Sequence, residues 1–187
     1  MKKLILSVTV ILISFGFTKN EGVVGQLFPV MECENYNGEK VHLPVAAKDK
    51  YTLLGMAFSN NAEEDLKTWI SPIYNKFIAS TDPKEADVMD PSFDYDINLY
   101  FIPMFTGVNQ LTSKQSKEKI RANTNKKLYP HLLFYEGDKT YKKELDFEKK
   151  DIPYFFVLDK AGKIVYATSG KYDSKKLEKI IDIIEEN

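Results

Sequence analysis

The side chains best suited to chemistry are few: one cysteine, Cys33, and two histidines, His42 and His131, in 187 residues. A thiolate is the nucleophile of sulfur chemistry, but disulfide exchange also needs a second thiol to resolve the mixed disulfide. One cysteine cannot supply both. Used alone, Cys33 would serve a peroxidase or reductase that draws on an external thiol. Against that use, it lies in the segment Phe28 to Glu34, far in sequence from any helix start that would stabilise a thiolate. A structural cysteine is the plainer reading. Neither histidine has a serine or cysteine beside it in a nucleophile motif. Two histidines and one cysteine also fall short of the three or four N or S ligands of a zinc or copper site. No metal and no cofactor is expected. Trp69, Tyr74 and Phe77 resemble an aromatic binding box, yet their helical spacing assigns them to a core.

Charge excludes other classes. A formal net charge of -1 gathers neither nucleic acid nor an anionic membrane, and the chain carries no glycine-rich phosphate loop or basic-aromatic array. The distribution is uneven: Asp82 to Asp96 holds six acids and one lysine, while Lys114 to Lys127 holds six bases and one glutamate. These read as solvated or mutually paired surfaces, with a charged partner as the alternative. With 43% apolar and 28% charged residues the chain can build a core, and its length suits one domain better than two.

The elements that must position these residues follow from periodicity. Phe28 to Glu34 and Glu39 to Leu43 flank Asn37-Gly38, a hairpin signal. Tyr51 to Phe58 is an apolar run of central-strand length. Glu63 to Phe77 spaces Leu66, Trp69, Ile70, Ile73 and Phe77 for an amphipathic helix, kinked at Pro72. Thr81 to Asp96 reads as a loop. Ile97 to Phe105 is a second strand whose regular pairing should end at Pro103. Thr112 to Lys127 reads as a polar helix, Leu132 to Tyr135 as a short strand and the lysine-rich stretch beyond it as a connection. Tyr154 to Leu158 and Ile164 to Thr168 form a second hairpin around Gly162, and a last helix starts at Ser174. The order demands an α/β fold: a central mixed sheet flanked by helices, with an added N-terminal β-hairpin.

That order, with IPYFFVLDKAGKIVYATSG and with YTLLGMAFSNNAEEDLKTWISPIYNKF, resembles the thioredoxin-like superfamily. The N-terminal FPVMECENYNGEKVHLP is similar to the hairpin of its peroxiredoxin and periplasmic thiol-reductase branch. Two stretches also resemble the thioredoxin-like assembly factor of mitochondrial ATP synthase. The resemblance covers roughly residues 26 to 187 and implies a cis peptide bond at Ile152-Pro153. Counted back from Pro72, it places the usual paired cysteines near Glu64 and Lys67. No cysteine stands anywhere from Phe58 to Trp69, so the main reaction of the superfamily is removed. What the resemblance leaves is recognition. The loop Ser59 to Glu64 is expected to meet Ile152-Pro153, with Ser59, Asn60, Asn61, Glu64, Ile152 and Pro153 as candidate partner-binding residues. Backbone beside Pro153 would receive an extended segment, and Asn60 or Asn61 would orient it unless Asn61 merely caps the helix. The partner is expected to be a protein or extended peptide.

The N-terminus implies a compartment. Met1-Lys2-Lys3 precedes the uncharged stretch Leu4 to Phe17, the pattern of a secretory signal over residues 1 to 18. The run is short for a bilayer span, and no cysteine follows it for lipid attachment. The expectation is an exported protein, periplasmic or secreted, that touches a membrane only through this segment if it stays uncleaved.

Overall fold

The computed structural model describes residues 21–79 and 95–186. The expected signal segment and almost all of the acidic loop Thr81 to Asp96 lie outside them.

The hairpin at Asn37-Gly38 forms from β1 (Met31–Asn35) and β2 (Lys40–Leu43), paired antiparallel from Met31 opposite Leu43 to Glu34 opposite Lys40. Asn35 closes the turn: its Oδ1 accepts the N–H groups of Asn37 and Glu39. β3 (Tyr51–Ala57) is buried along almost its whole length. It feeds α1 (Asn60–Phe77), an 18-residue helix that contains Pro72. The helix begins three residues earlier than the apolar period implies. Ser59 is the reason, because its Oγ accepts the Ala62 N–H at 3.1 Å and satisfies a donor that the first turn leaves open.

β4 (Ile97–Thr106) runs parallel to β3. Its β3 pairing ends at Pro103 as the missing N–H requires, but the strand continues and pairs with the next strand from Met104 to Thr106. α2 (Ser113–Asn123) stops four residues short of its expected end. There the Asn125 side chain accepts the Lys127 N–H and starts a separate 3₁₀ segment, Lys126–His131. β5 (Leu133–Gly137) and the single turn α3 (Tyr141–Glu144) lead to β6 (Tyr154–Leu158), β7 (Ile164–Ser169) and α4 (Ser174–Glu185). In the β6–β7 turn, Gly162 has φ +83, and a Cβ there would lie 2.9 Å from Pro44, so glycine is required twice over.

The seven strands form one sheet in the order β2-β1-β5-β4-β3-β6-β7. β3, β4 and β5 are parallel, and the two hairpins add antiparallel strands at either side. Alternation along β3 assigns its side chains to two cores. Leu54 and Met56 face Met31, Cys33, Leu43 and Phe156, whereas Leu53 and Ala57 face Trp69, Phe155 and Ile180 under α1 and α4. Gly55 lets α1 approach, since a Cβ at that position would meet Phe155 at 2.8 Å and Leu66 at 3.0 Å. Trp69 belongs to this core as its spacing implies, fully buried, with Nε1 donating to the Gly170 carbonyl at 2.9 Å.

One expectation is corrected. The cis peptide bond among the described residues is Leu43–Pro44, and Ile152–Pro153 is trans. The trans isomer of an X-Pro bond is favoured by roughly 0.5–1 kcal/mol unless packing overrides it. Here the buried Pro153 leads directly into β6, and its carbonyl accepts the Gly170 N–H at 2.8 Å.

Candidate functional site

Because β3, β4 and β5 are parallel, the segments that leave their C-terminal ends emerge at one edge of the sheet, and β6 enters from that same edge. This is where open α/β sheets place their ligands. Here the start of α1 meets the segment before β6. The Ser59 hydroxyl joins them, accepting from Ala62 within its own helix and donating to the Lys150 carbonyl at 3.1 Å. A second hydroxyl holds the facing loop: Tyr154 Oη accepts the Lys149 N–H at 2.7 Å and donates to the Lys149 carbonyl at 3.0 Å. Beneath both loops lies an aromatic floor. Phe58 stacks on Phe147 with centroids 5.4 Å apart, and Phe147 on Tyr154 at 4.4 Å.

Ser59 and Ile152 are half-buried, while Asn60, Asn61 and Glu64 are exposed. Glu64 is ion-paired with Lys67 at 2.6 Å in the second turn. Asn61 does not cap the helix, since Ser59 does. Pro153 is buried with its carbonyl engaged, so the backbone beyond the pairing is that of Ile152, one residue earlier; the β3–β6 register begins at Met56 opposite Tyr154. Glu63 is half-buried, and burial raises its carboxyl above the ordinary value against the pull of Lys67, with Glu64 adding to the rise and Lys119 opposing it.

No protein-family model matches the chain, and none of the curated proteins matches it. Solved structures do. The C-terminal domain assigned to a thiol-disulfide oxidoreductase of Bacteroides thetaiotaomicron superposes with a TM-score of 0.54 at 17% identity, over 88% of this chain and 97% of that one. The exposed lipoprotein thioredoxin of Streptococcus pneumoniae gives 0.50 at 16% identity, over 85% of this chain and all of that one. The reduced 2-Cys peroxiredoxin of Plasmodium vivax gives 0.50 at 14% identity, over 88% and 82%. The chain has a thioredoxin-like fold.

At such identities the likeness carries architecture and not activity. In this thioredoxin-like protein the helix start is Ser59-Asn60-Asn61-Ala62-Glu63, without sulfur. Glu64 and Lys67, reached by counting back from Pro72, lie within the helix and neutralise each other. Cys33 sits in β1, separated from β3 by β5 and β4, 3% exposed in the apolar core. Burial, with a smaller contribution from Glu32, pushes its thiol up to about 12. At neutral pH a group with that pKa supplies essentially no thiolate.

The histidines do not join the site. His42 is exposed beside Glu32 at 3.9 Å, and the half-buried His131 places Nδ1 3.1 Å from the Leu99 carbonyl. Burial lowers the His131 pKa, only partly opposed by that hydrogen bond. The basic helix is partly occupied inside the molecule. Lys117, 7% exposed, binds Glu34 at 2.8 Å and Glu136 at 3.0 Å, and Arg121 also reaches Glu34. Sequence reasoning missed Tyr154, Lys149, Lys150 and Phe58 as parts of the site. The available signal was the pair Lys149-Lys150 just before Ile152-Pro153, and the aromatic residue directly before Ser59.

Proposed function

We propose that this is a redox-inactive thioredoxin-like protein of the cell envelope that binds another protein, assisting its assembly, through the edge formed by Ser59, Asn60, Asn61, Glu64, Ile152 and Pro153. The observation that carries the reading is the separation of position from sulfur. The helix start that would stabilise a thiolate has none, and the cysteine that exists is buried with a raised pKa. What occupies the edge instead is exposed amide chemistry, Asn60 and Asn61, which donates and accepts hydrogen bonds but cannot exchange disulfides. The reading uses Ile152, whose backbone lies outside the β3–β6 pairing, for an extended segment. A cell-envelope location is supported by the charged start and apolar stretch Leu4 to Phe17, and by the likeness to a thioredoxin described as an exposed lipoprotein.

The test is a photo-crosslinking residue placed at Asn60, with the same residue at exposed Val30 as control. The reading expects one discrete adduct from Asn60 in the cell envelope and none from Val30, with the Asn60 adduct weakened in an Asn61→Ala background. Equal labelling from both positions, or no adduct from Asn60, contradicts it.

A further inference from the structure

The N-terminal hairpin joins the rest of the sheet over a short span, where β1 pairs with β5 through Glu34 opposite Phe134 and Asn35 opposite Leu133. At that joint Tyr36 and Tyr129 lie face to face, with ring centroids 3.6 Å apart and planes 13° from parallel. Aromatic pairs favour offset or edge contacts at roughly 4.5–7 Å, so a sandwich this close is held by its surroundings. On one side Asn35 Oδ1 accepts the Asn37 and Glu39 N–H groups, and the Tyr36 carbonyl accepts Arg121 Nε at 3.1 Å. On the other, Tyr129 belongs to the 3₁₀ segment Lys126–His131, Pro130 restricts the backbone after it, and its carbonyl accepts the Leu132 N–H at 3.3 Å. The two phenols hydrogen-bond to each other, which is the first cause, ahead of burial, of a Tyr36 pKa above the ordinary value. Both oxygens therefore stand at the same end of the stack. A ring carbon ortho to one oxygen then faces its counterpart, close to the roughly 3–3.5 Å at which reacting atoms are poised. Both rings are half-buried, so each keeps some contact with solvent. Among the described residues the other tyrosine rings in contact, Tyr135 and Tyr141, meet edge-on at 87° and 5.0 Å, and Tyr141 Oη donates to the Val30 carbonyl at 2.6 Å. An edge-on contact does not overlay ortho carbons.

We propose that Tyr36 and Tyr129 are an oxidative crosslinking site, whose co-reactant is a peroxide-fed haem oxidant and whose product is a carbon–carbon bond tying the hairpin to the segment before β5. Each phenol gives up one electron and its O–H proton. The two phenoxyl radicals join through their ortho carbons, and the hydrogen on each of those carbons then moves to its oxygen, restoring two phenols. Two electrons and two protons leave in all, and at the oxidant's haem they reduce one hydrogen peroxide to two waters. With one cysteine the chain cannot tie itself by a disulfide, so a covalent link has to come from other side chains. This link closes a loop containing β2, β3, α1, β4 and α2, and long loops gain most from closure. The pair lies at the start of β5, away from the binding edge, and does not depend on the reading of that edge.

The experiment treats the dilute purified protein with a haem peroxidase and a stoichiometric amount of hydrogen peroxide, then reads dityrosine fluorescence and maps linked peptides by mass. The proposal expects monomeric protein two hydrogen atoms lighter, with Tyr36 joined to Tyr129 as the dominant link. It also expects a urea midpoint raised by about 1 M or more over untreated protein. Tyr36→Phe and Tyr129→Phe keep the stacked rings, so each should melt as the wild type does while losing both the link and the midpoint shift. Tyr141→Phe should lose neither. The absence of a Tyr36–Tyr129 link, links between other tyrosines or between separate chains in comparable yield, or a linked protein with an unshifted midpoint overturns the proposal.

Discussion

The start of α1 and the middle of β1 divide between them what one thioredoxin active site would combine. At the start of α1 the position is right: an 18-residue helix, capped by Ser59, opens at the edge of a parallel sheet beside the loop Lys149 to Pro153. The side chains there carry no sulfur. In β1 the sulfur is present, but Cys33 is 3% exposed and lies among apolar side chains. A thiol without access or thiolate character packs like any small apolar group. The comparison teaches that fold and chemistry are separable, because the capping and packing that build the edge do not depend on the atoms that would react there.

The largest effect should come from a third place, which tests whether β1 is held structurally. Lys117 binds Glu34 and Glu136, and both carboxylates face it across the β1–β5 pairing. Burial opposes the Glu34 charge, but hydrogen bonds from Lys117 and Arg121 bring its carboxyl below the ordinary value. Breaking a fully buried pair costs about 3–5 kcal/mol. With Glu34 and Glu136 partly solvated, Lys117→Ala should cost about 2 kcal/mol in urea unfolding at pH 7. In Glu136→Gln/Lys117→Met the cost should shrink, since Glu34 keeps Arg121 and no charge is left alone.

Next in size is Ser59→Ala, which removes both the cap and the link to Lys150. A lost cap costs about 1 kcal/mol and a lost hydrogen bond a similar amount, so destabilisation of about 1–2 kcal/mol is expected. Hydrogen exchange should quicken at both Ala62 and the 149–152 loop. Quickening at Ala62 alone would show that the two loops are not coupled.

Cys33 sharpens the other side of the comparison. Its folded pKa, near 12, exceeds the ordinary 9.0. The native state therefore holds this proton where the unfolded chain has released it, and the contribution is complete below about pH 9 and lost as pH rises towards 12. Going from pH 8 to pH 10, the wild type should lose about 1 kcal/mol more stability than Cys33→Ala. An equal loss in both would place the thiol in water. The smallest effect belongs to Glu63. Burial raises its pKa, so folding is penalised as pH rises through the window above the ordinary 4.5, and Glu63→Gln should slightly raise the urea midpoint at pH 7 while leaving it unchanged at pH 4.

Much of the edge was legible before any coordinates. A continuous apolar run located β3, the 3.6-residue period located α1 and the turn around Gly162 located the β6–β7 hairpin, because a strand covered on both faces is apolar throughout while a helix buried on one face keeps its period in the sequence. Three features were not. The helix start depended on which side chain caps it, and Ser59, Asn60 and Asn61 are all competent by type; the Ala62 N–H selects Ser59. The isomer at Pro153 depended on tertiary surroundings that residue types do not encode, so the resemblance supplied cis where the chain has trans. The role of the basic segment depended on contacts more than 80 residues apart, Glu34 with Lys117 and Arg121, which no local pattern announces.

The central claim is that the position and the sulfur never meet, and turnover tests it most directly. The purified protein is supplied with excess dithiothreitol and either insulin or hydrogen peroxide, and its rate is compared with that of Cys33→Ser. The account predicts no rate above buffer for either protein with either substrate. A rate in the wild type that disappears in Cys33→Ser would contradict it, because a thiol buried in β1 would then have to reach both substrate and solvent.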